Sequence, residues 1–266
     1  MNILDQIIAH KTVEVEGRKR CTNLPCTEPH IRRDVRAFDR ILKRSTKIGV
    51  IAEFKRASPS KGPLRPSAIA SEIGPVYAAH GASAISVLTD SRFFQGDDKD
   101  LVDVRQNVPV PVLRKEFIID EYQVHETAVM GADALLLIAS VLDDTRLESF
   151  QRTAALYGMH CLVEVHDERE LHRALNAGSR IIGINNRNLT DFTVTLDTSL
   201  KLRPLIPEGI VTVSESGILT RKDVLLLQEA GFDSILVGES LMCATEIGKK
   251  LDALLGDTFI RPEQGC

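Results

Sequence analysis

Four ionisable residues sit in or beside aliphatic runs, where a buried strand would be expected: Glu53, Lys55, Lys115 and Glu164. Glu53 and Lys55 are two apart in Ala52-Glu53-Phe54-Lys55. On a strand they point to one side, where a carboxylate and an amine shift each other's pKa. An isolated Glu-x-Lys is usually a surface ion pair. Here a long polar stretch follows, with Ser58, Ser60, Lys61 and Gly62, and such a loop favours a binding role. Lys115 ends the run in Leu113-Arg114-Lys115-Glu116-Phe117. It reads as a solvated loop lysine, a general acid or a Schiff-base nucleophile. Glu164 lies among Leu162, Val163 and Val165. A carboxylate there is costly unless partnered, so it is the strongest single pointer to chemistry.

A second set suits an anion. Asn185 and Arg187 follow an apolar run in Gly183-Ile184-Asn185-Asn186-Arg187-Asn188-Leu189. The segments Ser214-Glu215-Ser216-Gly217 and Val237-Gly238-Glu239-Ser240 each bring small residues to the start of a helix, where backbone N–H groups and the helix dipole attract phosphate. A small phosphorylated substrate is the expected partner.

The elements that must position these residues repeat along the chain. Apolar runs at 48–54, 84–88, 110–113, 134–139, 161–165, 181–184, 210–213 and 235–237 are continuous rather than alternating, as in strands covered on both faces. Helix signals separate them. Asp120 opens one helix and Gly131 closes it; Asp143-Asp144 opens another that ends near Gly158; Thr220 caps a third that Gly231 stops. Phrases such as Met130-Gly131-Ala132 and Ala230-Gly231 recur at helix ends as a weak internal repeat. Eight strand–helix units predict an α/β fold, a (β/α)8 TIM barrel with an extra N-terminal helical segment. A doubly wound open sheet is the runner-up, but it usually has fewer strands and a Gly-rich first turn. The expected division is an extension at 1–47, packed over one end of the barrel, the barrel at 48–256, and a tail at 257–266. Within the extension, Ile3, Leu4, Ile7, Ile8 and Val15 form an apolar stripe.

Composition narrows the class. The chain has 266 residues, is 43% hydrophobic and 26% charged, and carries a net charge of -4. That suffices for one core and gives no basic tract for nucleic acid. Five scattered cysteines make neither a disulfide framework nor a zinc site. No run reaches the roughly 18 apolar residues a membrane span needs, and no apolar signal core precedes the barrel. A cytoplasmic, metal-free protein is expected.

Five of these segments, in order, resemble indole-3-glycerol phosphate synthases: Ala52 through Gly62, Leu113-Arg114-Lys115-Glu116-Phe117, Leu162-Val163-Glu164-Val165-His166, Gly183 through Leu189, and Val213-Ser214-Glu215-Ser216-Gly217-Ile218. The resemblance spans nearly the whole chain. It implies a carbon–carbon lyase of tryptophan biosynthesis, without cofactor or metal, that closes an indole ring with loss of CO2 and water. The substrate would be 1-(2-carboxyphenylamino)-1-deoxyribulose 5-phosphate. Lys115 would protonate the ribulose carbonyl, Glu164 would move the proton in dehydration, and Glu53 would stabilise the cationic intermediate. Lys55 would hold the substrate carboxylate or assist loss of the hydroxyl. Asn185 and Arg187 would fix the sugar hydroxyls and the polar network. Ser58, Ser216, Gly217, Gly238 and Glu239 would surround the phosphate, with Glu215 beside them. Phe94, Phe117, Leu136 and Leu189 would pack on the anthranilate ring. The chain has no Trp, so no tryptophan of the N-terminal helix joins that packing. A monofunctional monomer is expected, with docking to other pathway enzymes left open. The alternatives are another phosphosugar barrel, such as a Schiff-base aldolase or isomerase, and a catalytically silent metabolite-binding barrel.

Overall fold

The computed structural model describes residues 3–21, 34–43, 47–188 and 192–256. The tail at 257–266 and Leu189 lie outside the described residues. Eight parallel strands close into a barrel, each pairing with the next and the last with the first. They are β1 (Gly49–Phe54), β2 (Ala84–Leu88), β3 (Val112–Lys115), β4 (Ala134–Ile138), β5 (His160–Val165), β6 (Ile181–Asn185), β7 (Val211–Glu215) and β8 (Ser234–Val237). Three strands run past the apolar runs that announce them, to Lys115, Asn185 and Glu215. Lys115, Asn185 and Glu215 therefore belong to the strands, because backbone pairing continues where aliphatic side chains stop.

Helices α1 (Ile3–Cys21) and α2 (Phe38–Leu42) precede the barrel. The outer ring consists of α3 (Ala70–Ala79), α4 (Ser91–Phe94), α5 (Asp98–Asn107), α6 (Glu121–Met130), α7 (Asp144–Leu156), α8 (Glu168–Asn176), α9 (Asp197–Leu202), α10 (Arg221–Glu229), α11 (Glu239–Met242) and α12 (Ile247–Leu255). The caps are chemical. Asp120 accepts from Tyr122 N while Gln123 Oε1 accepts from Asp120 N, and Thr220 pairs with Asp223 in the same way. Gly131 ends α6 at φ 87°, a left-handed conformation that costs glycine little.

The core has two shells. One lies between sheet and helices; the other fills the barrel with Ile51, Ala84, Leu113, Leu136, Leu162 and Val213 among others. Phe38 and Leu42 of α2 are fully buried in the inner shell, and Ser234 Oγ donates to Leu42 O. This short helix plugs the amino-terminal end of the barrel. The long helix α1 takes the opposite end, beside Asp90 and Glu116. Its attachment differs from the expected apolar stripe: the buried positions are Ile7, Lys11 and Val15. Lys11 is 1% exposed and lies 3.0 Å from Asp90, 3.1 Å from Glu116 and 2.9 Å from Glu14. Arg18 adds contacts to Asp98 at 2.6 Å and Glu126 at 2.9 Å, and the buried Arg114 grips the same two carboxylates from below. A clasp of charges replaces much of the apolar stripe.

Candidate active site

Glu53, Lys115, Glu164, Asn185 and Glu215 project from the carboxyl ends of five strands, and Lys55 from the residue just past β1, into one space. Lys55 Nζ lies 2.6 Å from Glu53 Oε1. Lys115 Nζ donates to Glu215 Oε2 at 2.6 Å and Glu164 Oε2 at 3.2 Å. Asn185 Nδ2 donates to Glu164 Oε1 at 3.1 Å. Its own Oδ1 accepts from Arg187 N at 3.0 Å, which ties the start of the next loop to the same network.

Two glycines make room for two of the carboxylates. A Cβ on Gly183 of β6 would collide with Glu215 Oε1, and a Cβ on Gly238 with Glu53 Oε1. Glycine is needed here for close approach rather than for a turn.

Burial and proximity pull the protonation states apart. Burial disfavours the Lys115 ammonium, but the fields of Glu215, Glu164 and Glu53 together outweigh it, and Lys115 stays charged well above the ordinary lysine range. Burial also works against ionised Glu164, yet Lys115, His166 and Asn185 prevail and hold it below the usual carboxylate range. Glu215 goes the other way. Burial lifts it, Lys115 only partly offsets this, and Glu164 repels it, so it titrates at about 7. One carboxylate that stays ionised and one poised near neutrality, sharing one ammonium, is an arrangement suited to acid–base chemistry.

Beside this floor a cavity of about 400 Å3 is lined by Lys61, Arg187, Ser216, Gly217, Gly238 and Glu239, among others. Ser216 and Gly217 leave β7 at φ 67° and 79°, and the left-handed Ser216 is rare for a residue with a Cβ. Arg187 reaches Ser60 Oγ and Glu239 Oε2, both at 3.4 Å, and Lys61 lies 3.8 Å from Glu239. These contacts join the loops after β1, β6 and β8. Ser58 is buried in the small ribbon Ala57–Ser58 and Gly62–Pro63, 3.5 Å from Ser60 Oγ. Phe94 and Phe117 meet with ring centroids 5.9 Å apart. Leu136 faces the barrel interior, one layer below Glu164, at 2% exposure.

Sequence reasoning gave His166 no role of its own. Its Nε2 lies 3.3 Å from Glu164 Oε1 and its Nδ1 3.0 Å from Glu170 Oε2. The signal was present: His166 is two residues from Glu164, just past the end of β5, and four from Glu170. The buried carboxylates Asp90 and Glu116 were missed as well, because their partner Lys11 is about a hundred residues away in Glu116's case.

A family model described as indole-3-glycerol phosphate synthase matches residues 4–254. The indole-3-glycerol phosphate synthase of Laribacter hongkongensis is 48% identical over 94% of this chain and 97% of its own. That of Chlorobaculum tepidum is 50% identical over 86% and 87%. Among solved structures, a 3-hexulose-6-phosphate synthase superposes with a TM-score of 0.64 at 15% identity, covering 79% of this chain and 99% of its own. That similarity speaks to the fold alone.

Proposed function

Since the chain belongs to the indole-3-glycerol phosphate synthase family, we propose a division of labour among the side chains of its barrel mouth. The enzyme is a carbon–carbon lyase of tryptophan biosynthesis: it converts 1-(2-carboxyphenylamino)-1-deoxyribulose 5-phosphate to indole-3-glycerol phosphate, CO2 and water.

Lys115 is the general acid. Its N–H breaks as the aromatic carbon attacks the ribulose carbonyl, whose oxygen takes the proton. Its charge also favours the developing alkoxide. The cationic ring that results is stabilised by Glu53. Loss of CO2 restores aromaticity, and dehydration then needs one proton delivered to the hydroxyl and one removed from carbon. Glu164 and the pair Glu53–Lys55 supply these transfers, and Asn185 orients Glu164 through its hydrogen bond to Oε1. Arg187, Lys61 and the loops at Ser216-Gly217 and Gly238-Glu239 take the phosphate end, joined by Ser58 from the ribbon after β1. Glu239 takes part through its backbone, since its carboxylate already faces Arg187 and Lys61. Phe94, Phe117 and Leu136 form the apolar side for the anthranilate ring.

The observation that carries this reading is the placement of Lys115 Nζ between two buried carboxylates. It also speaks against a Schiff-base aldolase, which needs a neutral amine. No described helix is long and apolar enough to cross a membrane. A monomer working in the cytoplasm fits the single barrel with its own capped ends. The test is indole formation followed by fluorescence, to which a chain without Trp adds little background. Lys115→Met should lower kcat by about 10²–10⁴ while the circular dichroism spectrum holds. Wild-type turnover in that variant would refute the assignment of the acid.

A further inference from the structure

Asn186 stands in the chain between Asn185, which bonds Glu164 in the floor, and Arg187, which lines the rim cavity. It is 2% exposed and has no part in the chemistry assigned above. Its Oδ1 accepts from Ser199 N at 3.0 Å. A backbone N–H only donates, so this contact fixes which end of the amide is oxygen and leaves Nδ2 facing β7. Nδ2 donates to Ser214 Oγ at 3.0 Å, Glu215 O at 2.9 Å and Ser216 O at 3.1 Å. Two N–H bonds serve three oxygens, so one of them is shared. Ser199 Oγ and Ser214 Oγ, both fully buried, lie 2.7 Å apart and close the knot.

The knot grips a turn that would not keep its shape unaided. Ser216 takes φ 67° and Gly217 79°. Left-handed backbone is costly for serine and persists only where the surroundings over-determine it. Asn186 holds the carbonyl before Ser216 and the carbonyl after it, and so fixes both peptide planes that meet there. A trans peptide carries its N–H on the side opposite its C=O. With both carbonyls drawn to Asn186, the N–H groups of Ser216 and Gly217 are turned away from it. Neither donates to a backbone carbonyl among the described residues. Both residues line the rim cavity of about 400 Å3. Successive N–H groups turned to one side are an anion-binding arrangement.

We propose that Asn186 is a positioning residue: it holds the Ser216-Gly217 turn with its N–H groups presented to the rim cavity, and so sets the affinity for the substrate's phosphate without touching it. This rests on the reading of the rim as the phosphate site. The floor is spared when the Asn186 side chain changes. Glu215 O also accepts from Asn186 N at 2.9 Å, a backbone bond that a substitution leaves in place. The carboxylate beside Lys115 therefore keeps its support while the turn beyond it loosens.

The test measures inhibition of indole formation by inorganic phosphate in the full chain. Wild type is compared with Asn186→Ala, Asn186→Ser and Arg187→Ala, with thermal melts to establish folding. Asn186→Ala should weaken phosphate inhibition by about 10-fold and raise KM more than it lowers kcat. Asn186→Ser keeps a hydroxyl too short to reach both carbonyls, so it should show the same split with a smaller effect on melting. A second comparison separates a held turn from a general loss of packing. Glycine adopts the φ of 67° at little cost. In a Ser216→Gly background, Asn186→Ala should therefore weaken phosphate inhibition much less than it does in the wild-type background. Equal losses in the two backgrounds would overturn the proposal. So would wild-type inhibition in Asn186→Ala and Asn186→Ser while Arg187→Ala is impaired, a result that leaves the rim reading standing. Wild-type inhibition in all three variants, Arg187→Ala included, would remove both.

Discussion

Glu215→Gln should make the protein more stable above neutral pH and worse at its reaction. Glu215 is 1% exposed, and its Oε1 has no hydrogen-bond partner among the described residues. Burial, with Glu164 adding to it and Lys115 only partly opposing it, raises the carboxyl from 4.5 to about 7. A carboxyl raised in the folded state binds its proton more tightly there than in the unfolded chain. Well below pH 4.5 both states are protonated and there is no penalty; the penalty grows from there and is complete above about 7. At about 1.4 kcal/mol per pH unit, that interval corresponds to roughly 3 kcal/mol. Gln reproduces the shape and charge of the protonated form, so the variant escapes the penalty. At about 2–4 °C per kcal/mol for a chain of this size, its Tm should exceed that of the wild type by roughly 6–12 °C near pH 8.5, and by little near pH 4.5. Melts of both proteins across that range, followed by circular dichroism, give the difference directly. A difference independent of pH, or a lower Tm for the variant at alkaline pH, would refute the reasoning. It would mean that the 2.6 Å contact with Lys115 outweighs burial. The kinetic loss is expected because Lys115 would keep only one of its two close carboxylates, a trade of stability for function.

Three further outcomes follow from the same geometry. Lys11→Met leaves Asp90 and Glu116 buried without their cation, which should cost about 3–5 kcal/mol of docking for α1, read as lost hydrogen-exchange protection in that helix. In the wild type, burial opposes the Lys11 charge but Glu116 and Asp90 prevail and raise its pKa above 10.5, so the clasp should hold below that pH and loosen only as pH rises through the shifted value. Gly183→Ala should push the Glu215 carboxylate off Lys115 and lower kcat by about 10-fold or more with an unchanged far-ultraviolet spectrum; unaltered kcat would show that the carboxylate is not needed where it sits. Arg187→Ala should weaken inhibition by inorganic phosphate by about 10-fold, for the loss of a charged hydrogen bond, and raise KM more than it lowers kcat.

The barrel was legible because its strands are buried on both faces and so read as unbroken apolar runs, while helix ends carry Asp120, Thr220 and Gly131 in positions where their chemistry is local. Glu53, Lys55, Lys115 and Glu164 were legible as intruders on those runs. What escaped notice depends on partners distant in sequence. Lys11 looks like any exposed helix lysine until Asp90 and Glu116 close around it. The apolar stripe of α1 was read correctly at Ile7 and Val15, yet the residue between them carries the clasp. Phe38 and Leu42 gave no sign that they plug a barrel, since a five-residue helix has no periodicity to read. Gly183 shows no role in the sequence, and one appears only when Glu215 is placed against it.

The distribution of charge explains how one small mouth handles an anionic ligand and a cationic intermediate. In the floor, Glu53, Glu164 and Glu215 outnumber Lys55 and Lys115 by one. With Glu215 titrating at about 7, that excess is only partly present at neutral pH. The floor is therefore close to balanced before reaction and mildly negative when a proton leaves, which suits a ring that becomes positive during closure. The other cations stand elsewhere: Lys61 at 58% exposure and Arg187 at 21%, both near the Glu239 carboxylate, line the rim beside Ser216-Gly217 and Gly238. In the proposed reading the phosphate takes that rim, so it does not compete with the carbonyl oxygen for Lys115. Were phosphate to bind at the floor, it would neutralise the ammonium whose proton the reaction needs. In the proposed division of labour the separation of rim from floor therefore matters as much as any single side chain, and it is set by Lys115 ending β3 while Gly217 and Gly238 lie beyond the ends of β7 and β8.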